Sequence, residues 1–345
     1  MRTLEVTKLR DLTGPGHTDA YGVGGTDLGA AVLAPDGRLV AVFGDTFERA
    51  GVGGPGWRSP VILFGDPSTL ADGLVWTGSG GSARDYADQV VEYHHGSRVG
   101  GRLFGLVGGL KVGTVLPTDM ITIGDTIYLH VMVCQALGTV HWTEIHRSTD
   151  NGVTWEPTEA WWWGHHLDGH FQMLTWELGP DGYVYALTTG FQRDKGLLLH
   201  RVPADRLLDT QAWEGWGFEG DTAGGSWAWG RTPTPVLPGA FGELSLRRVG
   251  DEWWLAAFDA GRYRIDLVPL PDGPTTNLHT AERLPVVAGC GWGDEDHGCG
   301  RVAQLYGGYI LPGSTPDEIH LVVSQWNTAT NWPYRAMHFR ARVRG

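Results

Sequence analysis

Ala30-Ala31-Val32-Leu33-Ala34-Pro35-Asp36-Gly37-Arg38-Leu39-Val40-Ala41-Val42-Phe43 holds two short apolar runs on either side of a Pro-Asp-Gly cluster. Proline presets φ and glycine takes the positive φ of a tight turn, so the stretch reads as a β-hairpin. The same unit recurs: an acidic or glycine-containing turn, then a strand rich in β-branched and aromatic residues. Gly124-Asp125 precedes 127–133, Asp181-Gly182 precedes 183–187, Gly250-Asp251 precedes 253–258, and Asp317-Glu318 precedes 319–323. Five such units, 56 to 89 residues apart, match the blades of a β-propeller with long loops. Ser148-Thr149-Asp150-Asn151-Gly152-Val153-Thr154-Trp155 adds an independent sign. It fits the Asp-box pattern Ser-x-Asp-x-Gly-x-Thr-Trp, a hairpin turn seen in sialidase-type propellers, in which the Asp bonds the turn backbone and the Trp packs beneath.

The expected fold is therefore all-β, a single five-bladed β-propeller over 1–345 with no linker. The alternation in 337–343 is expected to pair with an N-terminal strand and close the ring. Helix is expected only as a turn or two in 202–209. The Gly-rich stretch 50–113 is expected to hold loops and extra strands. With 345 residues, 53 Gly and 19 Pro, the composition agrees with many short strands and turns. No apolar run approaches the ~20 residues of a membrane span, which argues against membrane insertion. A formal net charge of −13 argues against nucleic acid as a partner and favours a neutral substrate. The oligomeric state stays open.

Cys290 and Cys299 bracket a short Gly-rich loop and read as a small disulfide, with Cys134 a buried thiol. Between the pair lie Asp294, Glu295, Asp296 and His297. They show no recognised metal spacing and read as a solvated acidic turn, so no metal or cofactor is expected. The 17 Trp are the anomaly of the composition. Some belong in strands, as Trp253-Trp254. Others sit in Gly-rich or His-rich stretches, as in Gly225-Ser226-Trp227-Ala228-Trp229-Gly230 and Trp161-Trp162-Trp163-Gly164-His165-His166. Aromatic faces on loops suit the C–H faces of sugar rings, and the same residues also serve as propeller interior.

Asp27, in Gly25-Thr26-Asp27-Leu28-Gly29, and Asp45, in Phe43-Gly44-Asp45-Thr46-Phe47, flank the first hairpin. A three-residue loop at 35–37 places them directly opposite one another on one face, with Cβ atoms roughly 4.5–5.5 Å apart. A four-residue loop would put them on opposite faces, and two such aspartates also serve as turn caps. Two close carboxylates repel, so one keeps its proton to higher pH. Acid and base in one place is what glycoside hydrolysis requires.

These residues, together with Pro117-Thr118-Asp119-Met120, the Asp-box, Leu199-His200-Arg201-Val202-Pro203, Gly242-Glu243-Leu244-Ser245 and Val323-Ser324-Gln325-Trp326, run in an order that resembles a known family. It is that of the endo-D-arabinanases of glycoside hydrolase family 183, formerly domain of unknown function 4185. The resemblance covers most of the chain. It implies a five-bladed propeller that cuts the D-arabinan of mycobacterial arabinogalactan and lipoarabinomannan, with Asp27 and Asp45 as the catalytic aspartates. Such domains also occur in tails of phages infecting mycolate-bearing actinobacteria. The sequence opens without a signal-peptide pattern, which fits either a virion-associated depolymerase or a chain trimmed of its signal, acting extracellularly on the cell wall.

Further substrate-binding candidates, gathered from strand ends of the other blades, are Asp119, His170, Arg193, Glu243, Gln325 and Trp326. The short cross-strand distance points toward retention of configuration. Three rivals remain: an inverting furanosidase with Glu243 as acid, a non-enzymatic carbohydrate-binding propeller (lectin or phage adhesin), and a sialidase. The last lacks a matching set of arginines.

Overall fold

A computed structural model describes residues 2–100, 109–221 and 224–345 of the chain; the 101–108 part of the Gly-rich stretch lies outside them. After β1 (Thr3–Asp11), β2 (Leu28–Leu33), β3 (Leu39–Phe43), β4 (Val61–Asp66) and β5 (Val75–Ser79) form an antiparallel sheet. A two-residue-wide ribbon, β6 (Arg98–Val99) with β7 (Leu110–Lys111), precedes a second four-stranded sheet. That sheet holds β8 (Thr114–Ile123), β9 (Thr126–Ala136), β10 (Thr139–Ser148) and β11 (Glu156–Trp163). Next come β12 (Met173–Leu178), β13 (Tyr183–Thr189), β14 (Lys195–Pro203), β15 (Glu214–Asp221) and β16 (Gly224–Trp229). They are followed by β17 (Leu237–Val249), β18 (Glu252–Asp259), β19 (Arg264–Leu270), β20 (Leu284–Cys290) and β21 (Arg301–Ala303). Last are β22 (Leu305–Ile310), β23 (Glu318–Trp326) and β24 (Tyr334–Arg344).

The hydrogen-bonded sheets are not five separate units. β14 pairs with β17, which joins β12–β21 into one ten-stranded sheet. The five recurring turn-strand units nevertheless fall on equivalent elements: β3, β9, β13, β18 and β23, each the partner of an inner strand. The inner strands β2, β8, β12, β17 and β22 pack on one another in that cyclic order, β22 returning to β2. Strands such as β2 and β3 are buried on both faces, which is why they read as unbroken Ala/Val runs rather than alternating ones. The 337–343 segment, within β24, pairs antiparallel with β1, as its alternation predicts. Among the described residues helix is confined to short 3₁₀ turns, the one in 202–209 being Ala204–Arg206.

Two turns have the expected chemistry. The β2–β3 loop is the three residues 35–37, closed by Ala34 N–H donating to Arg38 O (2.9 Å), with Gly37 at φ +87°. In the Asp-box between β10 and β11, Asp150 Oδ1 accepts from Thr154 N–H (2.9 Å) and Trp155 Nε1 donates to Gly152 O (3.1 Å).

The cysteine reading is corrected in part. Cys290 and Cys299 are both free thiols. Their loop is closed by main-chain bonds instead: Asp296 N–H to Arg301 O (3.0 Å) and Arg301 N–H to Asp296 O (2.9 Å). Within it His297 Nε2 bonds Glu295 Oε1 at 2.9 Å, and the described residues hold no cluster suited to a metal ion. Cys134 is buried on β9, and burial pushes its thiol well above the ordinary range.

Candidate active site

All five inner strands begin at the same end of the molecule, and there they surround a cavity of about 340 Å³. Its wall takes Asp27 and Leu28 from the start of β2, Thr118 from β8, Met173 from β12 and Glu243 from β17. Tyr306 comes from β22, Trp326 and Tyr334 from β23 and β24, and Asp45 from the loop after β3. The opposite end of the same strands, residues 31–33, 120–122, 247–249 and 310–314, lines a separate depression of about 210 Å³.

The hairpin delivers Asp27 and Asp45 to one cavity by a route the spacing alone misses. The expected register holds from Ala30↔Val42 to Leu33↔Leu39, then a bulge intervenes and Leu28 pairs with Phe43. Leu28 (φ +64°) and Gly29 (φ +117°) absorb the extra residue. Asp27 thus faces Gly44, whose N–H donates to Asp27 O at 3.1 Å, and Asp45 stands one residue further along. The direct cross-strand pairing is absent, and with it the register argument for retention. Gly44 is required here: a Cβ on it would sit 2.5 Å from Asp27 Oδ1.

The two carboxyls are held differently. Burial, with the Asp45 charge adding to it, pushes Asp27 up to about 7, against the opposing hydrogen bonds of Tyr306 and Tyr334. Tyr306 Oη donates to Asp27 Oδ2 at 2.7 Å. Burial also raises Asp45, but Thr114 Oγ1 (2.6 Å) and Trp57 Nε1 (2.9 Å) both donate to its Oδ1 and favour the ionised form. Tyr334 Oη donates to the Asp45 carbonyl at 2.9 Å and ties the loop to β24. Near neutrality the shared proton therefore belongs on Asp27, with Asp45 the charged partner.

Of the other candidates, Arg193, Glu243 and Trp326 line the same cavity. Arg193, in a left-handed turn (φ +57°), donates from Nη2 to Glu243 Oε1 at 2.5 Å and lies 5.1 Å over the Tyr306 ring. Asp119, His170 and Gln325 are placed elsewhere. Asp119 is fully buried midway along β8, where Arg247 Nη1 and Nη2 reach its two oxygens (2.8 and 2.5 Å) and Thr175 Oγ1 adds a third bond (2.7 Å). This is a clamp between inner strands below the cavity. His170 bonds the Leu167 carbonyl through Nδ1 at 2.9 Å. Gln325, next to Trp326 on β23, points to the opposite face as a strand demands, donating to Ala303 O (2.9 Å) and accepting from Arg335 Nη2 (3.0 Å). The residues missed by sequence are Tyr306, Tyr334, Trp57 and Thr114, which come from distant segments. The one local signal was Tyr306-Gly307-Gly308-Tyr309, a glycine pair with positive φ inside a strand.

The architecture is shared with proteins of known structure. A GH43_1 enzyme from Xanthomonas citri matches with a TM-score of 0.51 at 12% identity, over 96% of this chain and 90% of that one. The RS223-Beta-xylosidase matches with a TM-score of 0.54 at 11% identity, over 92% of both chains. At such identities the likeness concerns the fold, which is all-β and of the GH43 β-propeller type. Two sequence relatives extend nearly the full length. An uncharacterized 35.9 kDa protein in the asd 3′ region of Mycolicibacterium smegmatis is 29% identical over 341 residues, 93% of each chain. Notoamide biosynthesis cluster protein J of Aspergillus sp. (strain MF297-2) is 31% identical over 324 residues, 90% of this chain and 82% of the relative. The family model described as domain of unknown function DUF4185 matches residues 13–340, and the chain belongs to that family.

Proposed function

We propose that the protein is a glycoside hydrolase that cuts D-arabinan internally, with Asp27 as the general acid and Asp45 as the nucleophile or base. The observation that carries the reading is the pair of buried carboxyls at one cavity, one held protonated near pH 7 beside a charged neighbour. Asp27 donates its proton to the departing glycosidic oxygen. Asp45, fixed by Thr114 and Trp57, either attacks the anomeric carbon or deprotonates an attacking water. Carboxyls about 5 Å apart give the first course and retention; about 6.5–9.5 Å gives the second and inversion. Trp326 offers a ring face to the sugar, and Arg193 with Glu243 offers hydrogen bonds to its hydroxyls.

The cyclic packing of five inner strands supports reading the molecule as one five-bladed propeller. The arabinan substrate follows from the family resemblance, and with it action on the cell wall from outside, from a virion or after export. Incubating the protein with purified mycobacterial arabinogalactan and measuring reducing ends tests the activity. No release at any pH from 4 to 8, with binding intact, would leave a lectin or adhesin in its place. Proton NMR of the first product separates retention from inversion. Glu243 shares the cavity, so an inverting enzyme with Glu243 as acid is the second reading. Glu243→Gln abolishes turnover in that case and leaves partial activity in ours.

A further inference from the structure

The tryptophans of 225–230 take no part in the catalytic cavity. They lie on β16, which among the described residues pairs only with β15. The register sets Trp216 opposite Trp229 and Phe218 opposite Trp227, so alternation puts all four rings on one face of the ribbon. β15 ties the ribbon to β14 through His200↔Gly215 and Arg201↔Glu214, and the inner aromatic pair packs it down. Trp216 meets Trp229 at 4.8 Å, Trp229 meets Tyr185 at 5.8 Å, and the Arg201 guanidinium lies 4.5 Å over Trp229.

The outer pair is different. Trp227 and Phe218 stay 37% and 40% exposed, with Trp227 nearly parallel to Trp216 (6.1 Å, 15°). They face a cleft of about 410 Å³ whose other wall is the loop carrying Thr275, Asn277 and His279. Asn277 Oδ1 accepts from His279 N–H at 3.1 Å, which fixes the amide. Its Nδ2 makes none of the described hydrogen bonds. Among the described residues no Asp, Glu, Lys or Arg side chain lines the cleft, and His279 is its one titratable group, in a chain where 19% of residues are Asp, Glu, Lys or Arg. Flat rings on one wall, an oriented amide, hydroxyls and an imidazole on the other, and no carboxylate, ammonium or guanidinium are what a neutral sugar requires.

We infer that this cleft is a second glycan-binding site, taking a segment of a neutral polysaccharide with Trp227 as the stacking platform and Asn277 as the hydrogen-bonding group. It shares no lining residue with the catalytic cavity and rests on the proposed function only for the identity of the polymer. A second copy pairing along the open edge of β16 is the competing occupant. The cleft argues against it, because its far wall is a loop of the same chain and leaves a slot rather than a flat face.

Native electrophoresis of the full chain in gels containing mycobacterial arabinogalactan is the test, run on Asp45→Asn so that the polymer survives. That protein should be retarded, and adding Trp227→Ala should weaken retardation roughly five- to ten-fold. Asn277→Ala, on the exposed opposite wall, should weaken it as well, whereas Trp227→Phe should keep most of it. Polygalacturonate, an anionic polymer, should retard none. On a short soluble arabino-oligosaccharide, Trp227→Ala in the otherwise native chain should cleave like the parent. Retardation that is absent, or unchanged in both alanine variants, overturns the site. So does a dimer in light scattering that Trp227→Ala converts to monomer. If the native chain fails to cut arabinan while Trp227-dependent retardation persists, the catalytic reading falls and this site stands.

Discussion

At the scale of single residues, the proposed chemistry rests on where one proton sits. Asp27→Asn and Asp45→Asn each remove one half of a unit, so each should lower kcat by several orders of magnitude and the double variant should be little worse. The stability of Asp27→Asn has a definite sign. The native protein holds the Asp27 proton up to about pH 7, while the unfolded chain releases it near pH 4. The native state binds more protons between those values, so wild-type stability falls as pH rises through that window, and the cost is complete above it. Asp27→Asn should therefore raise Tm at pH 8, by something on the order of a few kcal/mol in stability, and have little effect near pH 4. A turn-capping role predicts the reverse: a lowered Tm with near-normal specific activity. Tyr306→Phe removes a hydrogen bond that holds Asp27 down, so the alkaline limb of the pH–rate profile, set by Asp27, should move upward. An unmoved limb would separate Tyr306 from the acid.

At the scale of elements, the bulge in the first hairpin sets how Asp27 and Asp45 enter the candidate site. Gly29 at φ +117° has Val322 Cγ1 2.8 Å from where a Cβ would be. Gly29→Ala should destabilise by roughly 1–3 kcal/mol in denaturant unfolding. Gly44→Ala acts on chemistry instead, since its new methyl would displace the Asp27 carboxyl. Turnover should drop at least about ten-fold, because small misplacements of a reacting group are costly. The two glycines, close on one hairpin, should thus separate in a paired measurement of kcat and unfolding midpoint.

At the scale of the molecule, the Asp119–Arg247 pair spans inner strands β8 and β17, and Arg247 also donates from Nη1 to Leu246 O (2.7 Å) and Trp176 O (3.3 Å). Truncating Asp119 leaves a buried guanidinium without its partner. Asp119→Ala should cost about 3–5 kcal/mol of stability. Activity per folded molecule should stay near normal, because the pair lies outside the cavity wall. A folded, stable and inactive Asp119→Ala protein would instead place Asp119 in the substrate's path. The pair lies outside the wall of the cavity, and Arg247 lines the depression at the other end of the inner strands.

The first hairpin and one strand in each of the five units were legible in the sequence, because turn chemistry and apolar runs are local properties. Pro35-Asp36-Gly37 places its loop, the five recurring units mark β3, β9, β13, β18 and β23, and the Asp-box closes its own hairpin with its own side chains. That Asp27 and Asp45 come to one cavity was legible for the same reason, as two ends of one hairpin, but their direct pairing was not what formed. What only the tertiary structure decided depends on contacts between distant segments. The bulge at Leu28–Gly29, where Gly29 packs against Val322 of β23, nearly 300 residues away in sequence, moves Asp27 opposite Gly44. Tyr306 and Tyr334 reach Asp27 and Asp45 from the last sheet. Asp119 reads as a strand-end acid like the others, and only its Arg247 partner, 128 residues on, shows it to be a clamp. Cys290 and Cys299 fail for a related reason: their spacing permits a bridge, but backbone bonds close the loop and leave both thiols free. Spacing along the chain specifies which groups can be neighbours, and the packing of the inner strands selects which of them are.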